Sequence, residues 1–294
     1  MQTFVLHVGP MKTSTTYVQQ VLCENRDFLK SMGWVYPGRG SNQQHAFYGL
    51  CGSDIPWVTP ATQVKNASAG EQLIEDIKSA DASVIVSAEA LASLSCDGIE
   101  RLMGRIPTPD TIVFTHRPLE KLIPSAWQQY LKGGGTETLE DFTNRLLNEM
   151  TQAEGSLYRG YALGDSVERW KSVVKSRIVV MKVPTAKKDA GKTWPLFQQA
   201  SGLPVLKDYG VTEANSSLSS EAANLLRSFN IALIKKGGFD RDILNIFVND
   251  CLLKDRFGSS KVALQENYFD QVSRLEEEQI TKAHKFADQV FSAA

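Results

Sequence analysis

The chain has 294 residues, 42% hydrophobic and 22% charged, with a formal net charge of −1. That balance suits a globular protein with a sizeable core and leaves no global basic surface for nucleic acid, so any anion site must be local. No stretch approaches the roughly 18 apolar residues of a membrane span, no basic region followed by an apolar signal run opens the chain, and the four cysteines and four histidines lack metal-ligand spacing. The expectation is a cytoplasmic chain with no metal site.

Thr3-Phe4-Val5-Leu6-His7-Val8 reads as a buried strand. Gly9 and Pro10 make a turn, and Lys12 is followed by four hydroxyl residues, Thr13, Ser14, Thr15 and Thr16. Apolar residues at helical spacing then run from Tyr17 through Leu22. A strand, a tight loop and a helix start aim backbone N–H groups and the positive end of a helix dipole at one spot, where a phosphate-like anion fits. Capping alone would need fewer hydroxyls.

Further on, Gly33 to Gly38 reads as a short strand stopped by Pro and Gly, and Gly40 to Val64 as a long loop with short helical pieces. Ala69 to Ala80 has helical spacing, and Ser83 to Ser87 is a buried strand ending near Glu89. Thr111 to Thr115 is another strand, followed by His116, Arg117 and a helix that Pro118 helps to start and Pro124 should kink or restart. Helices are expected at Thr138 to Thr151, Ser166 to Val174 and Trp194 to Ala200, with a last strong strand at Arg177 to Val183. The segments Leu218 to Lys236, Asp240 to Leu253 and Asn267 to Phe291 make a helical C-terminal third.

Alternating strands and helices predict an α/β fold, a three-layer parallel sheet of about five strands flanked by helices, in a single domain over residues 1–294. In such sheets ligands sit at the carboxyl ends of strands, where Lys12, Glu89 and Arg117 all fall.

A nucleoside-triphosphate loop needs a glycine immediately before its lysine, and here Met11 precedes Lys12. The chain also lacks an apolar run ending in a magnesium-binding aspartate. The run His7-x-Gly9-x-x-Lys12-Thr13-Ser14-Thr15-Thr16-x-x-Gln19 instead resembles the 5′-phosphosulfate loop of the sulfotransferases, especially bacterial ones, with Ser14 where that family usually has glycine. Arg117 and Ser125, eight residues apart after a strand, resemble the family's pair for the cofactor's 3′-phosphate. Weaker similarities lie at Tyr36-Pro37-Gly38-Arg39-Gly40, Ser87-Ala88-Glu89 and Asn215-Ser216-Ser217-Leu218-Ser219. The likeness spans about residues 3 to 235.

The resemblance implies a P-loop-like sulfotransferase fold and sulfuryl transfer from 3′-phosphoadenosine 5′-phosphosulfate (PAPS) to a hydroxyl on a carbohydrate, lipid or small metabolite, without metal. Lys12, Thr13, Ser14, Thr15, Thr16, Arg117 and Ser125 would bind the donor, and Lys12 would stabilise the leaving phosphate. His45 is the first candidate for the base that takes the acceptor's proton, Glu89 the second and His116 the third. His7 reads as a satisfied core histidine and His284 as a surface one. Phe47, Tyr48 and Trp57 are candidate acceptor-pocket aromatics. Lys235-Lys236-Gly237-Gly238 reads as a solvated helix end. The competing readings are a small-molecule kinase or NTPase with a variant phosphate loop, and a binding protein that keeps the loop without catalysis.

Overall fold

The computed structural model describes residues 2–185, 187–206, 217–237, 240–253 and 257–292. The chain opens with strand β1 (Phe4–Gly9), helices α1 (Thr15–Glu24) and α2 (Arg26–Ser31) and strand β2 (Trp34–Val35). Helices α3 (Gln44–Cys51) and α4 (Pro60–Lys78), strand β3 (Ser83–Ser87), helix α5 (Cys96–Met103) and strand β4 (Thr111–His116) follow. Next come helices α6 (Leu119–Lys132), α7 (Leu139–Gln152), α8 (Ser156–Tyr161) and α9 (Leu163–Val173), then strand β5 (Arg177–Lys182). Helices α10 (Thr193–Ser201), α11 (Ser220–Lys235), α12 (Arg241–Ile246) and α13 (Phe269–Phe286) and strand β6 (Gln289–Phe291) complete it.

The six strands form one sheet in the order β2-β3-β1-β4-β5-β6, and every pairing is parallel. Strand β1 is central and buried throughout. Its side chains alternate between the two faces, as the period of two requires. Phe4, Leu6 and Val8 enter one apolar cluster with Val86, Phe114 and Trp170, while Val5 enters the other with Val113, Val179 and Phe197. Each fully buried Val or Leu contributes about 1.5–3 kcal/mol, so both faces hold the strand. From β1 the chain leaves towards β2, and from the adjacent β4 it leaves towards β5 on the other side. The carboxyl ends of β1 and β4 therefore flank a topological switch point, the usual binding crevice of a parallel sheet.

Where the sequence suggests a single domain over 1–294, contacts group the chain into two compact units. The first holds residues 1–117, 153–214 and 277–294, and the second 118–152 and 215–276. In the second unit the fully buried Asn230 on α11 donates to the carbonyls of Leu131 and Gly135 at 2.8 and 2.7 Å, and Gln128 on α6 accepts from the amide of Leu218 at 2.8 Å. Helix α6 runs without a break through Pro124, where a kink or restart is expected.

Two expectations are corrected. The sheet has a sixth strand, β6, where the sequence pattern predicts helix as far as Phe291. Helix α4 starts at Pro60 inside the expected loop, capped by the Thr59 hydroxyl, which accepts from the Thr62 amide. Asn215, Ser216 and Gly238 lie outside the described residues.

Candidate functional site

The loop from β1 to α1 has an unusual backbone. Lys12 and Ser14 both take left-handed conformations, with φ 66° and 65°, and Gly9 has φ 103°. Single non-glycine residues in that region cost of order 1–3 kcal/mol and mark functional loops. Ser14 is the N-cap of α1, yet its hydroxyl caps no backbone N–H. The first-turn amides of a ten-residue helix are thus not closed by their own cap. Thr15 is buried and Thr16 exposed.

Beneath the loop lies a buried hydrogen-bond chain whose proton directions can be deduced. The Thr13 hydroxyl donates to the Pro10 carbonyl at 2.6 Å, so it must accept from Thr115 at 2.5 Å. Thr115 then has no proton left for His7, 3.3 Å away, so His7 Nε2 carries hydrogen and donates. His7 Nδ1 accepts from Ser87 at 2.8 Å, and Ser87 accepts from the Gln19 amide at 3.1 Å. Burial holds His7 neutral, its pKa lowered to about 3. His7 is a satisfied core histidine, bonded to strand hydroxyls rather than to the loop backbone. Thr13 differs from its expected role: its hydroxyl faces this chain and is spent.

Gln19 also donates to Glu89 at 2.7 Å, which sets the half-buried Glu89 beside the loop. A Cβ on Gly9 would stand 2.8 Å from both Cα and Cβ of Glu89, so only glycine lets the two segments meet. The turn after Glu89 is held by residues that the sequence pattern does not flag. Trp170 donates to the Leu91 carbonyl, Ser166 and Arg169 to Ala92, Arg159 to Ser93 and Arg169 again to Leu94. Arg159 and Arg169 also line an open cavity of about 500 Å³ with Ser95, Cys96 and Tyr158. Their signal in the sequence, two arginines ten residues apart on helices, is indistinguishable from an ordinary solvated face.

His45 lies in the first turn of α3 rather than in a loop, and it is exposed. Gln43, just before it, fixes that helix to the end of β3: its side chain accepts from the Ser87 amide at 3.0 Å and donates to the Pro37 carbonyl at 2.8 Å. The His45 ring stands edge-on to Tyr48, centroids 5.4 Å apart. The Tyr48 hydroxyl accepts from the Trp57 indole at 3.1 Å. Phe47 is fully buried in the core, so it is a packing anchor and not a pocket wall.

Arg117 follows β4 and donates to the Lys12 carbonyl at 3.3 Å, which places it against the loop. Burial lowers its pKa, and among the described residues no carboxylate pairs with it. Ser125 is half-buried on α6, in the second unit, whereas Arg117 ends the first segment of the first unit. His116 is buried at the end of β4, in register with Lys182 of β5. His284 is exposed, its pKa lowered by partial burial and by Lys182 and His116 nearby. Among the described residues, no group of three or more His, Cys, Asp or Glu side chains could hold a metal ion.

Compared with protein-family models, curated proteins and solved structures, the chain matches none.

Proposed function

We propose that the chain is a sulfotransferase that takes a sulfuryl group from PAPS and gives it to a hydroxyl of a small molecule, carbohydrate or lipid. The observation that carries this reading is the loop between β1 and α1. It joins two left-handed residues to an uncapped helix start, at the switch point of a parallel sheet, with Arg117 against it. A donor with a 5′-phosphate and a separate 3′-phosphate suits one anion cradle plus one arginine beside it. A guanidinium with no acidic partner among the described residues suits a second phosphate better than an ion pair. The motif resemblance, from His7 to Gln19 and from Arg117 to Ser125, points the same way.

In this reading the first-turn amides of α1 and the hydroxyls of Ser14, Thr15 and Thr16 bind the 5′-phosphate. The Thr13 hydroxyl supports the loop from below. Lys12 stabilises charge on the bridging oxygen. The acceptor oxygen forms a bond to sulfur as the bond from sulfur to the phosphate oxygen breaks, and its electron pair stays on that phosphate. The acceptor's proton passes to His45 or to Glu89. Glu89 sits against Gly9 at the loop; His45 stands edge-on to Tyr48. Arg117 binds the 3′-phosphate.

The test is sulfate transfer from labelled PAPS across a panel of hydroxyl acceptors. Lys12→Ala should lower turnover about a hundredfold or more with the donor KM little changed, as loss of a group acting on the transition state does. Arg117→Ala should chiefly raise the donor KM. Equal, small effects of both changes would contradict these roles. A kinase would instead transfer phosphate from ATP and require magnesium.

A further inference from the structure

Trp57 stands out because it is exposed and yet held still. The residue is 37% exposed to solvent. Its neighbours Ile55 and Val58 are buried in the core, and two turns, Ile55 N–H to Gly52 O and Val58 N–H to Ile55 O, set the backbone between them. The indole N–H is fixed on the Tyr48 hydroxyl. The segment is tied to α8 by Arg159, which donates to the Asp54 carbonyl. Directly after Arg159 comes Gly160. The point where a Cβ would stand on Gly160 is 3.6 Å from the Met11 methyl and 3.6 Å from the Trp57 ring. The indole and the loop side chain next to Lys12 therefore both stand over the same spot on α8.

We propose that Trp57 is the wall on which a flat, hydroxyl-bearing ring of the acceptor lies, with Met11 at the loop end of that subsite and Tyr48 and His45 at the other. This deepens the sulfotransferase reading and rests on it for the word acceptor; binding of the ring does not. A rigid indole whose edge is hydrogen-bonded offers its face at little entropic cost, and such faces suit the flat side of a pyranose or a phenol. A flexible acyl chain would gain nothing from a planar wall held in one orientation. Met11 adds an adaptable apolar flank. The position beside Lys12 would bring a hydroxyl on the ring's edge near the bond that breaks.

The experiment uses saturation-transfer NMR and calorimetry with 2-naphthol and methyl β-glucopyranoside as probes, alongside 3′-phosphoadenosine 5′-phosphate, on wild type, Trp57→Ala, Trp57→Phe and Met11→Ala. At least one ring probe should bind wild type with a Kd of about 1 mM or better, and the one that binds separates a phenolic from a sugar acceptor. Trp57→Ala should weaken it about tenfold or more, Met11→Ala less, and Trp57→Phe should retain most of it. Nucleotide binding should stay within about twofold in both Trp57 variants, which also shows that they fold. Binding of neither probe, or equal binding by wild type and Trp57→Ala, overturns the subsite. If the rings bind at Trp57 but the nucleotide does not bind at all, the subsite stands and the sulfotransferase reading falls.

Discussion

Gly9 and Glu89 are in backbone contact: a methyl group on Gly9 would lie 2.8 Å from the Cα of Glu89. The end of β1, where the loop to α1 begins, is thereby pressed against the end of β3, where a carboxylate emerges. Gln19, reaching from the first helix to Glu89 at 2.7 Å, closes the same contact from the other side. Gly9→Ala should destabilise the protein by about 2 kcal/mol or more, because the added carbon meets backbone and φ is 103°. Urea unfolding measures it; a change below about 0.5 kcal/mol would show that the contact is not tight.

Ser14 should tolerate glycine better than any other substitution. Its φ of 65° is strained for a residue with a Cβ, so Ser14→Gly is expected to be neutral or to stabilise by up to about 1 kcal/mol. Ser14→Val, β-branched in a left-handed conformation, should lose about 1–2 kcal/mol or more. The same unfolding series checks the order Gly above Ser above Val.

Thr13 separates support from ligand binding. Thr13→Val leaves the Pro10 carbonyl and the Thr115 hydroxyl without their buried partner and should cost about 1–3 kcal/mol. Thr13→Ser keeps the hydroxyl and should recover most of that loss. Thermal unfolding of the two variants without nucleotide reads the structural role directly.

His7 should make stability fall in acid. Its pKa is lowered from 6.5 to about 3 in the folded protein, so the neutral form is favoured there. The stability this gives is complete above pH 6.5 and is lost as pH falls towards 3, because only the unfolded chain takes up the proton in that window. The loss has a slope of about 1.4 kcal/mol per pH unit from this one group. Unfolding free energies of wild type and His7→Gln between about pH 7 and pH 4 should diverge at the high end and converge at the low end. Parallel curves would contradict a buried neutral His7.

Much of this architecture is legible in the residues. Alternating apolar side chains mark β1, and the Gly9-Pro10 turn and the Lys12-to-Thr16 run mark the loop into α1, because both are local patterns with local causes. Strand β6 is not legible: Gln289, Val290 and Phe291 are too few to set a period and follow an 18-residue helix. The start of α4 is disguised by polar and small residues. The helix is set there by close packing on α3, where Gly49 lies against the Asn66 backbone and Gly70 against Leu50 and the Ala46 carbonyl. At the site, Lys12, Glu89 and Arg117 follow from their places after strands. Phe47 in the core, the Thr13 hydroxyl turned inward, and the grip of Arg159 and Arg169 on the turn after Glu89 do not, because each depends on which way a side chain faces in three dimensions.

The most direct measurement is calorimetry with 3′-phosphoadenosine 5′-phosphate in the absence of magnesium, with adenosine 5′-monophosphate and ATP plus magnesium as comparisons. The sulfotransferase account predicts micromolar binding of the doubly phosphorylated nucleotide by wild type, with Kd of about 1 μM to 100 μM. It predicts loss of about tenfold or more on removing the 3′-phosphate, and no further loss from that removal in Arg117→Ala. Tight binding of ATP with magnesium, with no preference for the 3′-phosphate, would contradict it.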